Sequence, residues 1–396
     1  MDELDALWAF LVAAALAFGA TPPVAALARR LGAVHQPRKR DLHDRPVPRL
    51  GGLAILVAVV VAGVLFLPDE RSTRAILVGA VAISFVGAWD DYLPGGLPPV
   101  VKLAGQFGAA AIPVFAGDVR PEGLTLPFIE PFQLGDWSYP LSLIGIVAVM
   151  NIVNFTDGVD GLAAGVCTIA AATFAVICLS LDRDEAGILA AVTAGAAAGF
   201  LYHNFHPASI FMGDAGSNLL GLLLACIAIQ GVLKTAAVVA LFFPLVILAV
   251  PILDTGFVVA KRIKYKRPVY SPDKEHFHHR FDRIGFSQRR TVLYLYAWTL
   301  SLAALALALR FVPYSDDHGN FDVAWSLVIV AFGLVASAAT IYLVYTLEIL
   351  KFRRFRERQL RRQATLVGGR PPSEEQLADT IEREIETGEF EAVGRD

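Results

Sequence analysis

Residues 139–181, YPLSLIGIVAVMNIVNFTDGVDGLAAGVCTIAAATFAVICLSL, contain the pattern that decides the fold. Two apolar runs, 140–154 and 161–181, meet at a polar cluster, 151–160, that holds two asparagines at the end of the first run and two aspartates after it. A helix needs about 20 apolar residues to cross the hydrocarbon core of a bilayer, and flanking residues can complete a shorter run. This stretch therefore predicts two membrane-spanning helices joined by a polar turn at the membrane surface.

The same pattern continues along the whole chain of 396 residues, which is 55% hydrophobic and 18% charged, with a mean hydropathy of +0.55. Soluble domains are about 25% charged. We identify apolar runs at 6–28, 50–67, 75–89, 99–116, 140–154, 161–181, 186–201, 218–233, 235–253, 291–309 and 323–347. Because hydrocarbon offers no partner to a backbone amide, each run is predicted to be a helix. The predicted fold class is an all-α polytopic membrane protein with about 11 transmembrane helices.

The first run begins after Asp2, Glu3 and Asp5, where a cleavable signal peptide would carry basic residues. We therefore expect this run to be kept as a span. The three cysteines, Cys167, Cys178 and Cys226, lie inside apolar runs and are expected to be small core residues.

Lysine and arginine are divided unequally between the two sets of loops that eleven spans would create. Of the 34 basic residues, 28 fall within 29–49, 261–290, 351–395 and at Lys102, and the other six fall in the opposite set. Basic loops stay in the cytoplasm, so the N-terminus is predicted outside and the C-terminus inside. We predict an integral membrane domain over 1–348 and a charged cytoplasmic tail over 349–396. A net charge of -3 argues against a nucleic-acid partner.

The unusual polar clusters all fall on the predicted cytoplasmic side. They lie at 38–52, 90–91, 151–160, 202–218 and 254–290. No Asp, Glu, Lys or Arg stands at the centre of a run, whereas transporters place ionisable groups near the bilayer midplane. A one-sided arrangement favours a reaction between a cytosolic substrate and a lipid, with a lipid-linked transporter as the alternative. Among the opposite loops, the proline-containing segment 117–139 favours a small hairpin on the membrane.

Two adjacent aspartates, Asp90 and Asp91, end the third run. Carboxylate oxygens are ligands that Mg²⁺ prefers. Adjacent residues of a helix point about 100° apart, so this pair needs a further ligand to hold one ion. The pair is either a metal or proton-handling site or a solvated helix end.

Two further polar groups stand near span ends on the same side. Asn154, Asp157 and Asp160 are three residues apart, so we expect them on one stripe of a helical turn. In the next loop, Asn204 is followed by Phe211 and Asp214. The phenylalanine ring could stack on a base while the aspartate holds a metal, and the alternative for the ring is ordinary packing.

The loop 254–290 contains the sequence HFHHR. Its candidate ligands are His276, His278, His279 and Arg280. Zinc, phosphate and bulk solvent are the three candidate partners, and the aspartate-rich neighbours favour magnesium in the site and phosphate contact by this loop. Lys102 stands about one turn inside the fourth run, where it either extends to the membrane surface or binds a lipid phosphate.

Several carboxylates, a basic loop, an aromatic ring and a membrane together favour Mg²⁺-assisted phosphoryl transfer. The sequence contains neither a Walker A loop nor a GxGxxG motif, which removes support for an ATP-driven pump or a Rossmann enzyme.

Five segments resemble, in order, the cytoplasmic motifs of the polyprenyl-phosphate N-acetylhexosamine-1-phosphate transferases. They are HDRPVPRLGG, DDYLPGGLPPVVKLAGQ, NIVNFTDGVDGLAAG, NFHPASIFMGDAGSNLLG and DKEHFHHRF. The resemblance covers about 30–290 and implies transfer of a sugar-1-phosphate from a UDP-sugar to undecaprenyl phosphate, with release of UMP. It implies Mg²⁺, or Mn²⁺ in its place, and an active site on the cytoplasmic face of the bacterial cell membrane. The tail after residue 349 resembles nothing in the family.

The resemblance also implies roles for individual residues. Metal binding would fall to Asp214 and Asp91, and catalysis to Asp90, Asp91, Asp157 and Asp160. Lys102 would bind the lipid phosphate. The nucleotide would be bound by Asn154, Asp157, Asn204 and Phe211. The diphosphate and sugar would be bound by His276, His278, His279 and Arg280.

The histidine loop resembles the UDP-GlcNAc branch of the family. Phe277 interrupts a run that, in the phospho-MurNAc-pentapeptide transferases, resembles three consecutive histidines. We therefore expect transfer of N-acetylglucosamine-1-phosphate as the first membrane step of a cell-envelope glycan, with the phospho-MurNAc-pentapeptide reaction as the alternative. The sequence leaves open a monomer or a homodimer, and a one-step or a two-step reaction.

Overall fold

The computed structural model describes residues 3–35, 46–124, 132–233, 248–249, 252, 288–313 and 322–345, and a few positions after 359. Three predicted features fall largely outside these residues: the span 235–253, the histidine loop with His276, His278, His279 and Arg280, and the tail 349–396.

The described residues form ten α-helices. They are α1 (Glu3–Leu31), α2 (Gly52–Phe66), α3 (Arg71–Tyr92), α4 (Pro99–Ala111), α5 (Ser138–Thr156), α6 (Leu162–Ser180), α7 (Asp184–Asn204), α8 (Gly213–Ile227), α9 (Gln288–Phe311) and α10 (Val323–Tyr345). Short π-helical turns, Ile112–Ala116 and Ala228–Leu233, extend α4 and α8. Within the described part of the chain, eight helices are long and apolar enough to cross a membrane. The chain is therefore a mostly helical, multi-pass membrane protein, as predicted.

Two short antiparallel strand pairs lie between the helices. Strand β1 (Val34–His35) pairs with β2 (Val47–Pro48), and β3 (Gly123–Leu124) pairs with β4 (Phe132–Gln133). The second pair confirms the hairpin predicted within 117–139.

The apolar core is centred on α8, which packs against α2, α3, α5, α6 and α7. Small residues let the helices approach closely, as is common between membrane helices. A Cβ at Gly195 or Gly199 of α7 would overlap the backbone of Phe10 or Ala14 in α1. All three cysteines are buried, as expected of core residues.

Nine of the ten described helices have one terminus on the same side of the bundle. The C-terminal ends of α1, α3, α5 and α7 meet the N-terminal ends of α2, α4, α6, α8 and α9 there, joined by contacts such as Gly51 N to Phe211 O and Arg289 Nε to His206 O. Among the described residues, this end collects the predicted polar clusters at 46–52, 90–91, 151–160 and 202–218. The predictions of about eleven spans and of an outside N-terminus stay predictions.

Candidate active site

Three aspartates from two helix ends meet at this end of the bundle. One carboxylate oxygen each of Asp90, Asp91 and Asp214 lies within 4.8 Å of the others. Asp91 is buried, and Asp90 and Asp214 are partly exposed. Oxygen-only ligands at this spacing suit a hard divalent cation such as Mg²⁺. Asp214 of α8 thus supplies the further ligand that the Asp90–Asp91 pair needs.

The sequence had predicted Asp214 in a loop, but this residue lies in the first turn of α8. The helix begins five residues before the predicted run at 218 because Gly213 adopts a φ of +69°, which lets the chain turn into the helix. At a helix N-terminus, the unpaired backbone amides stabilise a carboxylate.

Two polar side chains hold the Asp214 carboxylate. Lys102 of α4 donates to Oδ2. Asn154 of α5 donates to Oδ1 over 2.9 Å and to Ser217 Oγ over 2.8 Å. The structure therefore brings together Lys102, Asn154 and Asp214, which were predicted for the lipid phosphate, the nucleotide and the metal.

The other two aspartates are fixed by backbone amides. Asp91 Oδ2 accepts a hydrogen bond from Ala215 N over 3.1 Å, which ties the end of α3 to the first turn of α8. Asp90 Oδ1 accepts one from Leu97 N over 2.8 Å. The chain can double back to place Leu97 there because Gly95 and Gly96 both have positive φ.

The segment before α2 positions the start of α8. Phe211 N donates to Pro48 O, Gly51 N donates to Phe211 O and Gly52 N donates to Met212 O, at distances of 2.8–3.0 Å. A Cβ at Gly52 would overlap the backbone of Gly216. The Gly51–Gly52 pair is therefore needed for the close approach of α2 to α8, a role that the sequence reading did not assign.

Asp157 caps the C-terminus of α5 beside this cluster. Burial, with the nearby carboxylates of Asp91 and Asp160, raises the pKa of the Asp157 carboxyl well above its usual range. A cation bound by the neighbouring aspartates would favour its ionised form.

The predicted helical stripe of Asn154, Asp157 and Asp160 is wrong, because α5 ends at Thr156 and the chain turns there. Asp160 instead accepts hydrogen bonds from the backbone of Ala208, over 3.0 Å, and contacts the His206 ring at 2.9 Å. Asn154, the first residue of the predicted stripe, contacts Asp214 directly.

Asn204 is buried and anchors two loops. Its Oδ1 accepts from Gly161 N over 3.1 Å, and its Nδ2 donates to Ile210 O over 2.9 Å. Both ends of the amide are thus engaged with backbone, which supports a structural role over the predicted nucleotide contact.

Phe211 precedes α8 and lies against the β1–β2 pair. Its ring centroid is 5.9 Å from that of His35, in an edge-on arrangement. Its backbone amide donates to Pro48 O in strand β2. Its ring is partly exposed, so its position is compatible both with packing and with base stacking.

A second polar layer, missed from the sequence, lies one turn deeper. Gln106 of α4, Asn151 of α5 and Asn218 of α8 are hydrogen-bonded to one another through their amides. The available signal was their spacing: each stands three or four residues from a predicted site residue on the same helix.

Comparison with known proteins agrees with this geometry. The family model described as glycosyl transferase family 4 matches residues 73–232. A probable undecaprenyl-phosphate N-acetylglucosaminyl 1-phosphate transferase of Bacillus subtilis is 41% identical over 304 residues, covering 76% of this chain and 84% of that protein. A decaprenyl-phosphate N-acetylglucosaminephosphotransferase of Mycobacterium tuberculosis is 39% identical, covering 73% and 78%.

A phospho-N-acetylmuramoyl-pentapeptide-transferase of Desulforudis audaxviator is similar to a lower degree, at 36% identity over 75% of this chain and 97% of its own length. The matched residues of the family model include all of Asp90, Asp91, Lys102, Asn154 and Asp214. The chain therefore belongs to glycosyl transferase family 4, in the group of polyprenyl-phosphate N-acetylhexosamine-1-phosphate transferases.

Proposed function

We propose that this protein transfers N-acetylglucosamine-1-phosphate from UDP-GlcNAc to undecaprenyl phosphate and releases UMP. The observation that carries the proposal is the cluster of Asp90, Asp91 and Asp214, joined by Lys102, at one end of a membrane helix bundle. Such a site can meet a soluble nucleotide-sugar and a membrane-anchored phosphate together. Two relatives are named as N-acetylglucosamine phosphate transferases, which supports the choice of sugar.

The site fits a divalent cation by its donor set. Asp90, Asp91 and Asp214 would hold Mg²⁺, which would neutralise charge on the diphosphate during phosphoryl transfer. Asn154 fixes the orientation of the Asp214 carboxylate through Oδ1. EDTA is expected to abolish turnover, and added Mg²⁺ or Mn²⁺ to restore it.

Lys102 is a positive side chain of this site, in contact with Asp214, that can approach a lipid phosphate. It stands one turn into α4, near the membrane surface, and its side chain is 24% exposed. In the proposed reaction its ammonium group moves from Asp214 to the acceptor phosphate and orients that phosphate toward the sugar-linked phosphorus. The imidazoles of the histidine loop are proposed to bind the diphosphate and sugar.

We propose direct attack by the lipid phosphate, with UMP as the leaving group. A phosphate monoester has a second pKa near about 6, so the acceptor is mostly dianionic at neutral pH and needs no strong general base. The rival path passes through a phosphosugar ester of an aspartate. Incubation of the enzyme with labelled UDP-GlcNAc alone separates the two, because a labelled protein that transfers its sugar on addition of lipid would contradict direct attack.

The function is tested by measuring UMP release from the purified full-length protein in detergent with undecaprenyl phosphate. UDP-GlcNAc and UDP-MurNAc-pentapeptide are supplied in parallel. We expect UMP only with UDP-GlcNAc, and only when the lipid is present. Release with the pentapeptide substrate would favour the phospho-MurNAc-pentapeptide reaction, and absence of release with both would overturn the proposal.

The active site is further proposed to face the cytoplasm, where nucleotide-sugars are made. The distribution of basic residues supports this orientation, since 28 of 34 fall in the loops that the sequence predicts on the same side as the site.

A further inference from the structure

Beneath the aspartate cluster, three amide side chains are buried in the helix bundle. Gln106 and Asn218 are each 1% exposed, and Asn151, beside Gln106, is partly buried. An amide in such surroundings destabilises the protein unless its donors and acceptors are paired.

These amides pair with one another in a fixed orientation. Gln106 Nε2 donates to Asn218 Oδ1 over 2.7 Å, and Asn151 Nδ2 donates to Gln106 Oε1 over 2.9 Å. A longer contact of 3.4 Å joins Gln106 Nε2 to Asn151 Oδ1. The remaining donors reach backbone carbonyls, from Asn218 to Asp214 O and from Asn151 to Val147 O, both over 2.8 Å.

The spacing of the cluster repeats the spacing of the active site. Gln106 stands four residues after Lys102 on α4, and Asn218 stands four residues after Asp214 on α8. Asn151 stands three residues before Asn154 on α5. Residues three or four apart lie on the same face of a helix, so the three amides form a second layer one turn below the three active-site side chains.

We propose that the amide cluster Gln106–Asn151–Asn218 is a positioning device that holds Lys102 and Asn154 on the two oxygens of Asp214. It links the same three helices, α4, α5 and α8, and a shift of one helix along its axis would break its hydrogen bonds. None of its groups titrates, so the device works at any pH at which the fold is stable. The consequence for catalysis rests on the function proposed above, whereas the consequence for metal binding does not.

The first test is the variant Gln106→Leu in the purified full-length protein, with UMP release and Mn²⁺ binding both measured. We expect kcat to fall about ten- to a hundredfold, because small displacements of reacting groups have effects of this size. The KM for UDP-GlcNAc should change little. Mn²⁺ affinity, followed by electron paramagnetic resonance of the free ion, should weaken about tenfold, as for other groups that orient metal ligands.

A double variant separates positioning from stability. Combining Gln106→Leu with Asn218→Leu removes both partners of the shortest amide pair, and replacing both partners restores stability that a single deletion loses. We expect the melting temperature to recover while kcat and Mn²⁺ affinity stay low. If both recover together with the melting temperature, the cluster is only a stability element and the proposal is wrong.

The control is Thr193→Val, which removes a buried hydroxyl of α7 that donates to the Leu189 carbonyl. We expect it to leave kcat and Mn²⁺ affinity unchanged. Unchanged values in Gln106→Leu would contradict the inference. Absence of UMP release by the unsubstituted protein would instead contradict the proposed function, and the Mn²⁺ titration would still decide the role of the cluster. If Gln106→Leu does not fold, the double variant supplies the same comparison.

Discussion

At the scale of single residues, charge and hydrogen bonding determine what the site can do. Asp214 is the residue on which the site converges, because it faces Asp90 and Asp91 and is contacted by Lys102 and Asn154. Three carboxylates at this distance repel one another unless a cation lies between them. The repulsion and the polar partners lead to separate predictions for Asp214 and for Lys102.

We predict that Asp214→Asn lowers kcat by about a thousandfold, since a neutral amide is a weak ligand for a hard cation. Its melting temperature in EDTA should equal or exceed that of the unsubstituted protein, because one repelling carboxylate is removed. UMP release and thermal unfolding measure the two effects. The matched control is Asp69→Asn, at an exposed aspartate paired with Arg74, which should change neither. Near-normal turnover of Asp214→Asn would remove the metal assignment.

We predict that Lys102→Gln lowers kcat about a hundredfold, because it removes a cation that balances phosphate charge in the reaction. The KM for undecaprenyl phosphate should rise, while Mn²⁺ binding should be retained or strengthened, since Asp214 loses a competing partner. Steady-state kinetics with varied lipid and an Mn²⁺ titration measure these effects. A normal lipid KM would contradict the assignment of Lys102 to the acceptor.

At the scale of elements, glycines decide how closely the helices approach around the site. Gly52 allows α2 to contact the backbone of Gly216 in α8, and Gly87 allows α3 to contact Ala215. These contacts fix the first turn of α8, and with it Asp214, against Asp91. The segment HDRPVPRLGG, which resembles a family motif, ends with Gly51 and Gly52. The packing of α2 against α8 explains why a side chain larger than glycine does not fit at Gly52.

We predict that Gly52→Ala destabilises the protein by about 1–3 kcal/mol through overpacking and lowers kcat. In a helix without such a contact, Gly to Ala would instead stabilise by up to about 1 kcal/mol. Gly108→Ala in α4 is the matched control, because its Cβ would meet nothing within 4 Å. Thermal unfolding and UMP release are measured on both variants. Equal behaviour of the two would show that the approach of α2 to α8 does not matter.

At the scale of the whole molecule, the fold places polar turns from several helix pairs at one end of an apolar bundle. Helix ends alternate between two sides in a multi-pass protein, so consecutive turns on one side can converge on a shared site. In the described residues these turns are linked by hydrogen bonds between distant segments, such as Asp91 with Ala215 and Asn204 with Gly161.

We predict that cysteines introduced at Pro94, Gly158 and Ser209 react with a membrane-impermeant maleimide only from the cytoplasmic side of oriented vesicles. A cysteine at Asp69, in the turn at the opposite end, should react only from the outside. The unsubstituted protein provides the background, since its three cysteines are buried. Labelling of the first three positions from different sides would contradict a single one-sided site.

The sequence alone determined the fold class and the set of residues at the site. The length of an apolar run indicates whether it can cross the bilayer, and the polar residues at its ends indicate where the helix reaches the membrane surface. The spans and the residues at their ends therefore follow from local composition. Asp90, Asp91, Lys102, Asn154 and Asp214 were all identified in this way, and the structure brings them together.

Only the tertiary structure decided how these residues are connected. Because α5 ends at Thr156, Asp160 does not share a helical stripe with Asn154, although its spacing had predicted one, and it instead accepts a hydrogen bond from the backbone of Ala208. The spacing places Gln106, Asn151 and Asn218 one turn from predicted site residues, but the hydrogen bonds that join the three amides across different helices are shown only by the packed structure. Hydrogen bonds between segments far apart in sequence depend on how helices pack, and packing is set by the shape of whole helix faces and not by any local pattern.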